Sequence, residues 1–216
     1  MLLQSLFQNN GSSGASSLLH IFDARPWLNA KANSAKGAGF ENAKTYNINM
    51  KVDFLGIENI HCMRKSFDGM CNIFRSVPTA GESSAPDCNY FSDMDKAGWL
   101  GHVKLVLHGA VRIVHCMHLK NENILVHCSD GWDRTSQLTS VAQLIMDPYF
   151  RTIEGFMVLV EKEWAQFGYK FDDRNGNFQK PSDENSPVFL QFLDSVWQVM
   201  QQVRRIEWFY TACPPP

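Results

Sequence analysis

The stretch "ILVHCSDGWDRTSQL", Ile124–Leu138, decides the fold. Ile124 to His127 is a short apolar run with β-branched residues, which predicts a buried strand. Small and polar residues follow from Cys128 to Asp133. From Arg134, the apolar positions Leu138, Val141, Ala142 and Ile145 recur at helical spacing as far as Asp147-Pro148. A helix over Arg134–Met146 is predicted. A strand, a tight loop and a helix N-terminus make an anion cradle: backbone N–H groups converge on the loop, and the helix end adds partial positive charge. Gly131 lets the backbone turn where a side chain would interfere. Arg134 offers a planar fork that matches two phosphate oxygens. The field that holds a phosphate also favours a thiolate, so Cys128 is a candidate nucleophile aimed at phosphorus. Thr135 is placed to donate to its sulfur. A lone cysteine after a strand is usually a small core residue; the full pattern His-Cys-x5-Arg-Thr outweighs that reading.

Working outward, the same alternation of elements recurs. Leu2–Gln8 reads as a helix end and Asn9–Ser17 as a Gly/Ser-rich loop. Strands are predicted at 18–22 and 52–57. Helices are predicted at 62–75, 97–119, 152–167 and 187–202, with a short helix or structured loop at 29–39. The segments 76–89 and 169–186 read as polar loops. Strands separated by helices argue for an α/β layered domain, a central mixed sheet flanked by helices, with the phosphate loop between a strand and a helix.

Composition narrows the class. The chain has 216 residues, 44% of them hydrophobic, enough for one domain core. A net charge of −2 gives no overall basic footprint for nucleic acid. No apolar run spans a bilayer and no signal peptide is read at the N-terminus. The six cysteines, at 62, 71, 88, 116, 128 and 213, form no CxxC pair. Reduced thiols in a cytosolic protein are expected rather than a disulfide framework. His115 and His118 share a helical face without a second ligand pair, so neither a metal nor a cofactor is expected. The apolar stripe of "FMVLVEKEW" is read as core packing.

HCSDGWDRT resembles the signature of the myotubularin family of phosphoinositide 3-phosphatases, within the cysteine-phosphatase superfamily. "FDARPWLNAKANSAKGAGFE", "GIENIHCMRKS", "GWLGHVKLVLHGA", "YFRTIEGFMVLVEKEWAQFGYKF" and "SPVFLQFLDSVWQ" are similar to myotubularin segments in family order. The likeness covers residues 1–202, read as part of a phosphatase domain. Residues 203–216, "VRRIEWFYTACPPP", diverge and are read as a truncated tail.

The resemblance implies a cysteine-phosphatase-like fold. It also implies removal of the 3-phosphate from phosphatidylinositol 3-phosphate and phosphatidylinositol 3,5-bisphosphate through a phosphocysteine. Cys128 is then the nucleophile, Arg134 the phosphate fork and Asp133 the general acid. The Trp-Pro-Asp acid loop of many cysteine phosphatases is missing from the sequence, which disfavours a protein-tyrosine phosphatase. Like charge from the bound phosphate would raise the proton affinity of Asp133. Ser129, Asp130, Gly131 and Trp132 complete the loop's substrate contacts; Asn33, Asn59 and His61 line the headgroup pocket. Lys170 and Arg174 match two basic positions that grip inositol phosphates, although Lys170 stands where arginine is usual and cannot offer a fork.

Implied partners are a phosphoinositide at a membrane surface and other myotubularins; the implied location is cytoplasmic, peripheral to endosomal or other membranes. The alternative is a non-catalytic module that binds phosphoinositide or a partner. The helix at 187–202 is expected to present Phe189, Phe192, Leu193, Val196 and Val199 as a stripe lacking cover.

Overall fold

The computed structural model describes residues 18–34, 39–41, 49–76, 89–176 and 182–202. The expected helix at 2–8, the loop at 9–17, most of the loop at 76–89 and the tail at 203–216 lie outside them.

Among the described residues, three strands form the sheet: β1 (Leu19–Asp23), β2 (Met50–Phe54) and β3 (Asn123–His127), with β1 in the middle. Both pairings are parallel, Asp23 standing beside Phe54 on one side and His127 on the other. Among the described residues the sheet is therefore parallel throughout, not mixed. Parallel neighbours need crossovers, and helices supply them. The fully buried "LHIFD" of β1 fits a central strand covered on both faces. β2 begins and ends earlier than 52–57; Leu55 and Ile57 are buried beyond its end.

One polar staple ties the strands together. The buried His20 places Nδ1 2.8 Å from Glu122 and Nε2 3.0 Å from Asp53. Cys116 joins this corner, where ligand atoms of His20, Cys116 and Glu122 lie within 4.8 Å of one another. Carboxylates already occupy both ring nitrogens, so the corner is a hydrogen-bonded staple; a histidine so paired can sit in the core.

The helices are α1 (Trp27–Ser34), α2 (Ile60–Ser76), α3 (Tyr90–Ala97), α4 (Trp99–Val114), α5 (Arg134–Met146), α6 (Ile153–Val160), α7 (Phe171–Asn175) and α8 (Val188–Gln202). The long helix expected at 97–119 begins after a break: Gly98 adopts φ +73°, ending α3 and opening α4. A π-helical turn, His115–Leu119, closes α4. The helix expected at 152–167 is α6 followed by a second π-helical turn, Glu161–Gln166. That turn sets Trp164 in the core, its indole N–H 3.0 Å from the Ser140 hydroxyl. Leu159 is buried as expected, but Met157 and Val158 on the same stripe face solvent.

The stripe on α8 is covered in the main, contrary to expectation, with Leu193 alone among its five residues exposed. Phe192 and Val196 are buried, and Phe192 and Phe189 both pack on Trp164, at 4.9 Å between ring centroids. Leu190, Leu193 and Trp197 form the exposed face instead. This helix packs on α4 and α5, with Phe156 of α6 stacked on Phe192, and the Cys128 loop leaves β3 at the carboxyl end of the sheet.

Candidate active site

In open α/β sheets, ligands bind beyond the carboxyl ends of the strands. Cys128 follows β3 directly and is 6% exposed. The Gly131 N–H points at its sulfur from 3.3 Å. Gly131 has φ +91°, and nothing lies within 4 Å of where a Cβ would stand. Glycine is required here by backbone angle, not by space. The loop ends at the start of α5, so the helix N-terminus faces the same point.

Arg134 is held in place from two sides. One terminal nitrogen donates to the Ile57 carbonyl and the other to the Ser129 hydroxyl, each at 3.1 Å. Thr135 carries a buried hydroxyl with no protein partner, close in sequence to the sulfur it was expected to serve.

Asp133 is buried and paired. Both its oxygens accept from Arg174, Nε to Oδ1 and Nη2 to Oδ2, at 3.0 Å each. Burial pushes the carboxyl above the ordinary carboxylate range, against the opposing pull of Arg174 and Arg134. The expectation rested on a bound phosphate; here desolvation acts without one. Arg174 is thereby largely occupied: its remaining terminal nitrogen donates to the Glu184 carbonyl at 2.8 Å and carboxylate at 2.9 Å. Its guanidinium stacks over Trp132 at 4.3 Å, with the Lys170 ammonium 5.0 Å from the same ring. Trp132 is a packed platform for two cations. Lys170 is mostly exposed, 4.0 Å from Asp173.

These residues meet in one cleft of ≈ 410 Å³, lined by Asn59, His61, Ser129, Asp130, Trp132, Asp133, Arg134, Lys170 and Arg174 along with Ile60 and Glu184. A smaller cleft of ≈ 240 Å³ holds Asn33 beside Arg25 and Asn29, and shares Asn59, Ser129 and Arg134 with the first. The expected pocket residues thus line these two adjoining clefts, except Gly131, which with Cys128 lines neither, and Asn33 belongs to the smaller one alone. Asn59 also caps α2, its Oδ1 accepting from the His61 and Cys62 N–H groups at 3.1 Å.

The sequence reading missed a buried layer behind the loop. Arg25 donates Nε and Nη2 to Asp23, the Nη2 contact at 2.6 Å, and also reaches the Gly39 carbonyl at 2.7 Å. Its hydrogen bonds to Asp23 raise its pKa further, against the opposing effect of burial. His127 Nδ1 lies 3.0 Å from the Cys128 carbonyl, and Nε2 lies 3.0 Å from Glu41. The Glu41 contact is an ion pair by distance without the alignment of a hydrogen bond. Burial pulls the His127 pKa down, but Glu41, the Cys128 carbonyl and Asp23 together leave it raised. The signal for this layer was present: Asp23 and Arg25 follow a buried strand at its carboxyl end.

The fold and site define an α/β protein with a cysteine-bearing loop between a parallel strand and a helix. Comparison supplies the family. The myotubularin-like phosphatase domain matches residues 1–209. Human phosphatidylinositol-3,5-bisphosphate 3-phosphatase MTMR8 is 41% identical over 94% of this chain and 27% of its own length. Human phosphatidylinositol-3-phosphate phosphatase MTMR7 is 43% identical over 93% of the chain and 29% of its own. Xenopus laevis myotubularin is 46% identical over 88% of the chain and 31% of its own. The chain belongs to the myotubularin-like phosphatase family, and it spans under a third of the length of these relatives.

Proposed function

We propose that this chain is a phosphoinositide 3-phosphatase acting on phosphatidylinositol 3-phosphate and phosphatidylinositol 3,5-bisphosphate, the lipids in its relatives' names. The observation that carries this reading is the placement of Cys128, Asp133 and Arg134 on one loop at a cleft that also gathers Lys170 and Arg174.

The proposed chemistry assigns each of these residues a step. Arg134 and the loop N–H groups hold the 3-phosphate. The Cys128 thiolate attacks phosphorus; an S–P bond forms as the P–O bond to inositol breaks. Asp133 gives its proton to the departing inositol oxygen. Water then attacks phosphorus and gives a proton to Asp133, the S–P bond breaks, and thiolate and inorganic phosphate are released. Ser129, Asp130, Trp132, Asn59 and His61 surround the headgroup, and Asn33 reaches it from the second cleft. Because the substrate is a lipid, turnover takes place at a membrane surface, the cytoplasmic face of endosomes included. Among the described residues, no helix is long and apolar enough to cross a membrane.

The test is Cys128→Ser, scored for phosphate release and for binding to vesicles containing each lipid. Turnover should fall by roughly a thousandfold or more, the scale on which loss of a nucleophile acts, while vesicle binding persists. Residual turnover near that of the unaltered chain would reject the thiolate mechanism.

A further inference from the structure

Glu184 is an acid in a place built for anions. Beside Asp130 on the loop and the buried Asp133, it is the third carboxylate lining the ≈ 410 Å³ cleft, whose lining also carries the cations Arg134, Lys170 and Arg174. Its carboxylate accepts from Arg174 Nη1 at 2.9 Å, on the side of the guanidinium away from Asp133.

The two contacts from residue 184 differ in kind. The backbone carbonyl also accepts from Arg174 Nη1, at 2.8 Å. That carbonyl belongs to the chain and keeps Arg174 anchored whatever the side chain does. The carboxylate is 60% exposed, while the arginine it touches is 3% exposed. A carboxylate so open to water leaves its partner at little cost. Ser182 and Ser186 pin the segment on either side: the Ser182 hydroxyl accepts from the Glu184 N–H at 3.1 Å, and the Ser186 N–H donates to the Arg174 carbonyl at 3.0 Å. Glu184 is therefore a movable charge on a fixed backbone.

With Arg134 committed to the reacting phosphate, the remaining cations of the cleft are Lys170 and Arg174. A second phosphate on the headgroup has these two to meet, and the Glu184 carboxylate already occupies the free side of one. We propose that Glu184 is a specificity-determining residue: an internal anion that a doubly phosphorylated headgroup must displace and a singly phosphorylated one need not. This rests on the phosphoinositide reading above and deepens it. Glu184 biases the chain toward the monophosphate by standing where the extra phosphate would be held. The lysine at 170, a point charge without a fork, leaves that phosphate without a strong alternative.

The experiment compares the unaltered chain with Glu184→Gln and Glu184→Asp on short-chain, soluble forms of the two lipids. The readout is the ratio of kcat/KM for the bisphosphate to that for the monophosphate. Glu184→Gln should raise the ratio roughly twofold to fivefold, the effect of one partly solvated charge pair, chiefly through a lower KM for the bisphosphate. Glu184→Asp, which keeps the charge, should retain the original ratio. A ratio unchanged in Glu184→Gln, or changed equally in both variants, overturns the proposal. If the unaltered chain turns over neither lipid, the enzymatic reading fails by itself, and the gate is judged by binding. On the Cys128→Ser background, Glu184→Gln should tighten inositol 1,3,5-trisphosphate relative to inositol 1,3-bisphosphate. An equal effect on both headgroups, or no binding of either, rejects it.

Discussion

Arg174 grips Asp133 with two parallel hydrogen bonds of 3.0 Å, across 41 residues of sequence, and both side chains are buried. The fork fixes the direction of the carboxylate and opposes its protonation, while burial favours it. The proposed acid is thus poised between two opposing effects.

Removing the fork should shift that poise in a known direction. In Arg174→Ala, Asp133 keeps its burial and loses the group that draws its pKa down. Its pKa rises, and a step that needs the protonated acid persists to higher pH. The alkaline limb of the kcat profile should move upward, while kcat at its best falls because the carboxyl is no longer aimed. Arg174→Lys restores a charge without a fork and should recover the position of the limb more than the rate. Breaking a buried pair from one side also costs roughly 3–5 kcal/mol of stability. Asp133→Asn on top of Arg174→Ala should cost much less than the sum of the two. Additive losses in urea unfolding, with a pH profile that stays put, would remove Arg174 from this role.

How much of this was written in the sequence varies by range of interaction. The strand–loop–helix at 124–146 was legible because it is local: apolar run, glycine and helical periodicity each carry their own signal. So was α5, whose limits match Arg134–Met146. The helix α3 at Tyr90–Ala97 was not expected, because its polar-rich YFSDMDKA carries little apolar periodicity; Gly98, with its left-handed φ, separates it from the helix that was. The cover on Phe192 depends on Trp164, which a π-helical turn brings inward, and periodicity alone does not predict that turn. The pairs Asp133–Arg174 and His127–Glu41 join distant segments. Nothing local marks Glu184 or Glu41 as anything but a solvated charge.

The loop itself should be intolerant of a Cβ at 131. Gly131→Ala meets no steric obstacle, yet it must hold φ +91°. A non-glycine residue in such a region costs of order 1–3 kcal/mol. With its neighbours Trp132 and Asp133 anchored, the strain should be relieved by moving the N–H that faces the Cys128 sulfur. Turnover should fall at least tenfold while the melting temperature drops only a few degrees. A variant that melts as the parent does and keeps full turnover would show that this N–H has no part in the chemistry.

Behind the loop, Glu41 and His127 make stability depend on pH. The His127 pKa is raised from 6.5, so its contribution is complete below that value and is lost as pH rises through the folded pKa. The Glu41 pKa is lowered from 4.5, chiefly by His127, so its contribution is complete above that value and is lost as pH falls through the folded pKa. The pair therefore acts in full between about pH 4.5 and 6.5. The melting difference between the unaltered chain and Glu41→Gln should peak in that window and shrink toward pH 8. With the pair partly solvated, about 1 kcal/mol is expected at the peak, or roughly 2–4 °C for a chain of this size. A difference that grows with pH would mean that His127 is neutral in the folded protein.

The turn that opens α6 offers the sharpest test of packing. Thr152 caps the helix by accepting the Gly155 N–H at 2.9 Å, and its own hydroxyl donates to the Tyr149 carbonyl at 2.8 Å. The same carbonyl accepts the Thr152 N–H at 3.0 Å. It therefore sits tight against Gly155. A Cβ there would stand 1.9 Å from the Tyr149 oxygen and 2.6 Å from its carbon. Backbone cannot yield as a side-chain tip can. Gly155→Ala must push the 3₁₀ turn at Pro148–Arg151 away from α6 or break the cap. Either movement is carried along α6 to Leu159 and Trp164, which are buried in the core. Overpacking of this kind costs about 1–3 kcal/mol or more, whereas loss of the cap alone, in Thr152→Ala, costs about 1 kcal/mol. Gly155→Ala should therefore lower the melting temperature further than Thr152→Ala, at roughly 2–4 °C for each kcal/mol. The active loop lies on other elements, so the fraction that stays folded should keep its kcat. If Gly155→Ala melts within a degree or two of the unaltered chain, the carbonyl and the helix are not in the contact described. If its kcat falls in step with its stability, the π-helical turn after α6 is coupled to the Cys128 loop through α5.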